Sequence, residues 1–438
     1  MALIPADARA AKTSFPAVPQ SATALRERRA LTVARGAAAT VLFGSFVFPS
    51  WTTTASIVML VSFAVLPSAR RRLQLALRLP LARAALVLLA VLAVATLWSD
   101  ADALIRFLAW WDWRPLLLLV LALAIFDEPA ARRRALLAFI IVAGIGAAYS
   151  WWAWISGYSA VGNNHGPPGT VLRNPVTQGM AFALACFLAM MLALTQRDLP
   201  RWWRGALAVA SLVLVANLVF VTSGRSAHLL LLILLAAMAV QCLRGWQRAA
   251  AVLLLPVVAA LAFGVSPMLQ SRYALLVQEL RAPLASAEMS SMGIRAVIWR
   301  VSGRMVMERP LLGYGMGGFD AAYERAVQAS SLTGWAATPT VDPHNQFLQV
   351  QLQAGIAGTA AFIAFLVAAF RHRAEQPYRA WASAILLGGC ATSLVSSHFT
   401  TFNESHMIML LLGVLLAPDR APPRPDSPAE LPQSPAAR

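Results

Sequence analysis

Long apolar segments alternate with short polar connections, many of them rich in arginine, along almost the whole chain. A helix that crosses a membrane needs about 20 mostly apolar residues. The pattern predicts twelve spans, at residues 34–49, 51–68, 80–98, 114–126 (or from an earlier residue), 135–156, 174–195, 205–221, 226–243, 249–266, 346–370, 379–397 and 404–417. We therefore predict an all-α integral membrane protein.

The predicted spans divide the chain into five parts. These are a cytoplasmic N-terminal tail (1–33), spans one to nine (34–266), a long extramembrane segment (267–345), spans ten to twelve (346–417) and a Pro-rich cytoplasmic tail (418–438). In the long segment, "GIRAVIWRVSGRMVMERP" has apolar residues at helical spacing, at Ile294, Val297, Ile298, Val301 and Met305. We expect a helix that lies on the membrane face or packs over the mouth of the bundle. A surface helix with no catalytic part is the alternative.

Composition and charge support the membrane class. Hydrophobic residues make up 59% of the chain and charged residues 13%, whereas soluble domains carry about 25% charged residues. The net charge of +17 does not indicate nucleic-acid binding. With the N-terminus in the cytoplasm, 25 of the 36 Lys and Arg residues fall on the cytoplasmic side. This asymmetry is the positive-inside pattern, which orients spans in the membrane.

Three arginines lie at the outer ends of predicted spans or in the outer segment. Arg225 follows a Ser-Gly pair in "VTSGRSAHLL", and Arg295 opens the helix of the long segment. Each is either an interfacial or surface charge, or a clamp for an anionic group, because a guanidinium matches phosphate oxygens in a bidentate fork. Arg114 in "WDWRPLLLL" is a further candidate ligand, or pairs with Asp112 and anchors its span.

Four polar residues open a span in "VLRNPVTQGMAF". Asn174 is suited to cap the helix, because Pro175 follows it at a position that prolines favour. Capping does not account for Thr177 and Gln178 on the next turn. We expect Arg173, Asn174, Thr177 and Gln178 to line a polar, substrate-binding surface.

A single histidine stands before another span, in "TPTVDPHNQFLQVQLQAGIAG". His344 lies on the same side of the membrane as Arg225 and Arg295. Asn345 follows it and is a further candidate for substrate binding. A neutral imidazole accepts a proton near neutral pH. The alternative is a structural histidine that caps the helix or tethers the loop.

Other patterns exclude other chemistries. "GYGMGGF" contains a formal G-x-G-x-x-G but lacks the strand-turn-helix context of a dinucleotide site, so we read it as a set of tight turns. The outer acids form no cluster with histidines at metal-ligand spacing, and the three cysteines lie inside spans. We therefore expect no metal and no cofactor. His398 and His406 are read as interfacial polar residues.

Three motifs together resemble the O-antigen ligase/polymerase superfamily of bacterial envelope enzymes. They are "TSGRSA" before a span, "ERPLLGYGMGGF" in the long segment and "DPHNQFLQVQLQAGIAG" at the start of the next span. The resemblance runs from about Asn174 to Gly358. Its motif residues fall on Arg225, Arg295 and His344.

The resemblance implies a GT-C-type glycosyltransferase in the bacterial inner membrane, with its active site facing the periplasm. The implied partners are a glycan donor carried on undecaprenyl diphosphate and, for a ligase, a sugar hydroxyl of lipid A–core. O-antigen polymerases and protein O-oligosaccharyltransferases share these motifs and remain alternatives. A transporter is the competing class, but transporters typically have broken helices near the membrane midplane and related halves. Here the polar residues gather at one face.

The residues suit that chemistry. Two arginines can neutralise a departing diphosphate, which is the task of a divalent metal in other transferases. His344 can take the proton of the acceptor hydroxyl. A single displacement would invert the anomeric centre, and no nucleotide is needed because the donor already carries the diphosphate ester.

Overall fold

The computed structural model describes residues 22–47, 49–160, 167–281 and 291–419, and this part of the chain contains helices and no strand. The predicted tails lie largely outside the described residues, which exclude 1–21 and 420–438. The α-helices are α1 (Ala22–Val47), α2 (Pro49–Ala64), α3 (Ala69–Leu77), α4 (Pro80–Val94), α5 (Ala103–Trp111), α6 (Pro115–Ile125), α7 (Pro129–Ile155), α8 (Pro175–Thr195), α9 (Arg201–Phe220), α10 (Arg225–Cys242), α11 (Trp246–Val265), α12 (Pro267–Arg281), α13 (Ser291–Glu308), α14 (Phe319–Gln328), α15 (Gln346–Arg371), α16 (Tyr378–Thr392) and α17 (Phe402–Leu416).

Each predicted span coincides with a helix, but not every helix is long enough to cross a membrane. Among the described residues, seven helices qualify by length and hydropathy, or eight if the bent pair α2 and α3 forms one span. One of the seven joins α5 and α6 into a single segment, Ala103–Ile125, so that span does start earlier than residue 114. Helices α4 and α17 are apolar but shorter. The integral membrane class is supported, and the number twelve stays a prediction.

Two helices form the centre of the bundle. Every residue of α17 from Asn403 to Leu416 is buried, and most of α8 is buried between α7, α9, α10 and α17. Small residues allow this close packing. Gly179 of α8 faces Ala227 of α10, and a Cβ on Gly179 would be 2.2 Å from the Ala227 Cβ. By contrast, α11 has no buried residue and lies at the periphery.

The long segment between α11 and α15 folds over the bundle. The helix expected from its apolar spacing is confirmed as α13, in which Ile298, Val301 and Met305 are buried. These side chains form a second hydrophobic core with Tyr323 of α14 and Leu352 of α15. The segment therefore packs over the end at which α15 begins, which was one of the two predicted placements.

Helix α15 is broken at Ala354 and Gly355, whose backbone angles are not helical. The loop that connects α13 and α14 fills the break. The Ile356 amide donates to the Pro310 carbonyl at 3.2 Å, and the Tyr314 amide donates to the Leu352 carbonyl at 2.7 Å. The "GYGMGGF" motif lies in this loop and has positive φ angles at Gly313, Gly315 and Gly317. The motif therefore forms tight turns, as predicted.

We predict that Gly355→Ala destabilises the protein. Gly355 has a φ of 59°, and a Cβ there would be 2.0 Å from the Leu311 carbonyl oxygen. The strained backbone alone costs about 1–3 kcal/mol, and the loop must also move. Gly264→Ala in α11 is the control, because a Cβ there meets no atom within 4 Å. Thermal unfolding in detergent should show a lower Tm for Gly355→Ala only. Equal Tm values for the two variants would contradict the role of the loop.

Candidate functional site

Helices α8 and α10 begin beside each other, at what we call the site end of the bundle. Gly224, just before α10, lies against Pro175 at the start of α8. A Cβ on Gly224 would be 2.8 Å from the Pro175 carbonyl oxygen, so only glycine allows this approach. Arg225, the first residue of α10, is therefore held next to the first turn of α8.

The guanidinium of Arg225 is bound by a carboxylate of the long segment. Its Nη1 and Nη2 atoms donate to the two carboxylate oxygens of Glu279 on α12, at 2.8 and 3.1 Å. Both side chains are largely buried, with 24% and 13% of their surfaces exposed. The hydrogen bonds from Arg225 lower the pKa of Glu279, so the carboxylate is charged at neutral pH. The bidentate geometry is the one that a guanidinium also adopts with phosphate oxygens.

Arg295 lies in the first turns of α13 and is anchored at two points. Its Nη1 donates to the Ser291 carbonyl at 3.0 Å, and its Nε donates to the Val395 carbonyl at 3.1 Å. Burial lowers the pKa of Arg295, and the positive charge of nearby Arg225 lowers it further. An arginine nevertheless keeps its charge at neutral pH. Two guanidinium groups are therefore held within electrostatic range of each other.

His344 lies in a turn just before α15. Its φ is 49°, which is unusual for a residue other than glycine, and its amide donates to Asp342 Oδ1 at 2.8 Å. Trp299 of α13 also holds the turn, because its indole donates to the Pro343 carbonyl at 3.0 Å. The imidazole is 38% exposed, and its Nδ1 is 3.5 Å from Asp342 Oδ2.

The electrostatic surroundings favour a neutral imidazole. Burial lowers the pKa of His344, the Asp342 carboxylate raises it, and the charge of Arg295 lowers it. The net shift is downward from the ordinary value of about 6.5. At neutral pH the ring can therefore accept a proton.

A short segment between α16 and α17, residues 393–401, connects these parts. Its backbone carbonyls accept hydrogen bonds from Arg295 Nε, from the Asn345 side chain and from the Gln346 amide, at Val395, Leu394 and Ser393. Arg295 and the start of α15 are thus fixed to one stretch of backbone. The sequence carries only a weak signal of this segment, namely a short run of serines and threonines in a predicted outer connection.

At the start of α8, the predicted cap at Asn174 is present, and the polar groups of Thr177 and Gln178 are bonded within the protein. Asn174 caps the helix and accepts from the amides of Val176 and Thr177, at 2.9 and 2.8 Å. Thr177 is buried, and its hydroxyl donates to Glu404 Oε1 of α17 at 2.5 Å. Arg173 is exposed at the site end.

Gln178 is buried and faces inward, where it holds the loop before α8. Its Oε1 accepts from the amides of Val171 and Leu172, at 2.9 and 3.2 Å. Its Nε2 donates to the Ser150 hydroxyl and to the Gly169 carbonyl, at 3.2 and 3.0 Å. These four bonds use the full capacity of the amide, so Gln178 has no free group for a ligand in this conformation.

Arg114 lies at the start of α6 and is held by its own surroundings. It donates to the Trp111 carbonyl at 2.9 Å and lies 3.7 Å from Asp112. The guanidinium carbon is also 5.0 Å from the centre of the Phe402 ring of α17. The predicted pairing with Asp112 is therefore present, and these contacts place Arg114 where α6 meets α17.

The interpretation of His398 and His406 as interfacial residues was wrong. They are 0% and 1% exposed. For His406 the reason is the central position of α17, which packs against α6, α8 and α16. The Nδ1 of His406 lies 2.5 Å from the Phe402 carbonyl. Neither ring nitrogen of His398 has a hydrogen-bond partner within the described ranges.

No group of three or more His, Cys, Asp or Glu residues suited to a metal ion is found in the part of the chain that the structure describes. The outer side does contain one pair of acids two residues apart, Asp100 and Asp102. Asp100 lies 3.7 Å from Arg325, and Asp102 precedes α5.

Asn345 was expected to bind substrate, but its contacts are those of a helix cap. Its side-chain oxygen accepts from the amides of Phe347 and Leu348, at 3.0 and 3.2 Å. We predict that Asn345→Ala lowers stability by about 0.5–2 kcal/mol, because the variant loses the cap of α15. The matched variant is Asn174→Ala, which removes the cap of α8 and should lower stability to a similar extent. Thermal unfolding checks this. An unchanged Tm for Asn345→Ala would contradict the capping role.

Residues 210–363 match the family model described as O-antigen ligase. No curated protein matched the chain. The matched region contains Arg225, Glu279, Arg295 and His344, but not the start of α8 or the 393–401 segment. Together with the resemblance of the motifs, this match supports membership of the chain in the O-antigen ligase/polymerase superfamily.

Proposed function

We propose that the chain is an O-antigen ligase, an inverting and metal-independent glycosyltransferase. It transfers O-antigen polysaccharide from undecaprenyl diphosphate to a sugar hydroxyl of lipid A–core, at the periplasmic face of the bacterial inner membrane. One observation carries the proposal. Two guanidinium groups and a neutral imidazole, those of Arg225, Arg295 and His344, are gathered at one end of an apolar helical bundle. The family match supports a ligase- or polymerase-type function in general.

The two arginines bind the diphosphate of the donor. Burial lowers the pKa of Arg295, and repulsion by the charge of Arg225 lowers it further. An anion placed between the two guanidinium groups relieves this repulsion. As the bond to the anomeric carbon breaks, the electron pair passes to a diphosphate oxygen. Fixed positive groups stabilise that charge without rearrangement, which is the main source of electrostatic catalysis.

His344 acts as the general base. The acceptor oxygen forms a bond to the anomeric carbon while its proton moves to the imidazole. A displacement in one step inverts the anomeric configuration. Among the other predicted site residues, Arg173 is exposed and is assigned to the glycan. We assign Asn174, Thr177, Gln178 and Asn345 to the support of the site, and Arg114 to the edge between α6 and α17.

The alternatives to a ligase belong to two classes, relatives that use another acceptor and transporters. O-antigen polymerases and protein O-oligosaccharyltransferases use the same chemistry on another acceptor. A transporter would use a broken helix to bind its substrate, and α15 is indeed broken. However, the Leu352 carbonyl and the Ile356 amide beside this break are paired with the loop at residues 309–315. The break therefore favours a rigid α15 rather than an ion site.

The proposal predicts transfer of a lipid-linked glycan by the purified protein in excess chelator. Arg225→Ala and Arg295→Ala should each lose about 10²–10³-fold in rate, which is typical for removal of one group that stabilises the departing charge. A lysine at either position should restore only part of the lost rate, because an ammonium group cannot form the bidentate fork. The readout is product formation on separate acceptors, namely lipid A–core, a second lipid-linked glycan and a peptide.

The matched control is Arg304→Lys, which changes an exposed arginine on α13 and should leave the rate unchanged. Transfer only to the second lipid-linked glycan would replace the ligase by the polymerase, and transfer to the peptide would indicate the protein transferase. Full turnover of both lysine variants at Arg225 and Arg295 would refute the clamp.

Glu279 occupies the position that the donor diphosphate is proposed to take. Its carboxylate holds the fork of Arg225 and remains charged at neutral pH, since its pKa is lowered by those hydrogen bonds. The donor must therefore displace Glu279 from Arg225 in order to bind. A carboxylate carries less charge than a diphosphate, so the exchange favours the donor.

We predict that Glu279→Gln increases the affinity for undecaprenyl diphosphate by about tenfold, which corresponds to about 1.4 kcal/mol. The amide keeps the shape of the side chain but competes weakly for Arg225. Binding in nanodiscs measures the effect, with Glu324→Gln on the exposed face of α14 as the control. Weaker binding by Glu279→Gln would show instead that Glu279 orients Arg225 for the donor.

A further inference from the structure

The Asp342 side chain contacts three parts of the site. Its Oδ1 accepts from the His344 amide at 2.8 Å and from the Ser397 hydroxyl at 2.6 Å. Its Oδ2 faces the imidazole, 3.5 Å from Nδ1. One carboxylate thus joins the backbone of the turn, the ring of the histidine and the 393–401 segment. The motifs considered in the sequence did not assign a role to Asp342 or Ser397, and Ser397 lies outside the region that matches the family model.

We propose that Asp342 is a positioning residue for the reaction: held by Ser397, its carboxylate keeps the His344 imidazole with Nδ1–H toward Oδ2 and Nε2 free to accept the proton of the acceptor hydroxyl. This inference rests on the proposed function, because it refines the role of His344 as the base. Asp342 itself does not touch the substrate.

The geometry favours one tautomer of the ring. If Nδ1 carried the lone pair, it would face a negatively charged oxygen at 3.5 Å, which is repulsive. With Nδ1–H toward Oδ2, the contact is attractive and shortens when the ring becomes charged. Catalytic hydrogen bonds are often long without substrate and tighten in the reacting complex. The turn limits other arrangements, since Pro343 fixes the backbone between the two residues and His344 has a φ of 49°.

Ser397 holds the Asp342 carboxylate from outside the turn. Asp342 and Ser397 are 55 residues apart in the chain. The hydroxyl belongs to the segment that also anchors Arg295 through the Val395 carbonyl, at 3.1 Å. The base and one arm of the diphosphate clamp are consequently fixed to the same backbone. This arrangement sets their relative distance, which a displacement with both groups acting at once requires.

Charged groups around His344 come from three directions. Asp342 lies on its own turn, Arg295 reaches it from α13, and the pair of Arg225 and Glu279 lies behind Arg295. The 393–401 segment contributes His398, whose ring is buried. Asp342 is the acid that raises the pKa of the imidazole.

The proton and electron balance of the step is complete. The acceptor oxygen bonds to the anomeric carbon, and the electron pair of the broken bond leaves with the diphosphate. The proton of the acceptor hydroxyl moves to Nε2, and Asp342 stabilises the resulting imidazolium through Nδ1–H. The ring then releases the proton to water.

The test uses the full-length protein in nanodiscs with Asp342→Asn, Ser397→Ala and Ser397→Thr. Asparagine keeps an oxygen for the His344 amide and for Ser397 but removes the charge. We expect Asp342→Asn to lower kcat by about 10–100-fold, a part of the 10²–10⁴-fold that a general base contributes. KM and the affinity for undecaprenyl diphosphate should change little. Ser397→Ala should show a smaller loss, Ser397→Thr should retain activity, and the neighbouring Ser396→Ala is the matched control.

The pH profile separates positioning from a purely structural role. The base must be neutral, so the rate of the wild type rises with pH through the pKa of His344. Since the Asp342 charge raises that pKa, Asp342→Asn should move the rising limb to lower pH and also lower the plateau. A lower plateau with the limb unmoved would show that Asp342 only supports the fold, and wild-type kcat would refute the inference outright.

Failure of the inference can be distinguished from failure of the proposed function. His344→Gln, measured in parallel, should lose the pH-dependent limb and most of the rate. If His344→Gln is inactive while Asp342→Asn matches the wild type, the base stands and the inference fails. If the wild type transfers no glycan to any acceptor, the proposed function fails. The Tm of Asp342→Asn and its donor binding report whether that variant is folded. If Asp342→Asn does not fold, Ser397→Ala tests the contact between Ser397 and Asp342 instead.

Discussion

The backbone carbonyls that follow α16 impose the constraint on which the site depends. Backbone carbonyls need hydrogen-bond donors where water is excluded. Just after α16, the carbonyls of residues 393, 394 and 395 accept from the Gln346 amide, the Asn345 side chain and Arg295. Satisfying this stretch of backbone therefore fixes the start of α15 and orients an arginine. The positions of both follow from the same hydrogen bonds.

A second set of contacts, with the loop between α13 and α14, stiffens α15. The break at Ala354 and Gly355 frees backbone groups that would be costly inside an apolar bundle. The loop at 309–315 pairs with them, and the same loop links α13 to α14. Because α13 carries Arg295 and α15 follows His344, the two site residues are connected both through the 393–401 segment and through this loop. Small displacements of either helix are thereby restricted.

Local patterns predicted the elements of this fold, but not the contacts among them. The helix α13 was visible in its apolar spacing, and the cap at Asn174 in the Asn-Pro pair, because both depend on neighbouring residues. The pairing of Arg225 with Glu279 joins residues 54 positions apart, and that of Ser397 with Asp342 joins residues 55 apart. No periodicity encodes such a pair. The burial of His398 and His406 was missed for the same reason, since it depends on which helix lies at the centre.

The acids of the site reconcile two opposing requirements. The proposed diphosphate site needs positive charges close together, yet the charges of Arg225 and Arg295 repel each other. Uncompensated charges that are partly buried destabilise a fold. Glu279 and Asp342 supply the opposing charge to the arginine pair.

The roles of Glu279 and Asp342 differ because of geometry. Glu279 takes both nitrogens of the fork and so competes directly with a phosphate, whereas Asp342 faces the imidazole and is held by Ser397. In the proposed reaction, the first contact must open for the donor to bind, and the second must persist for the proton to move. The stability of the protein and its affinity for the proposed donor would therefore be coupled through Glu279, while Asp342 would remain in place throughout the proposed reaction.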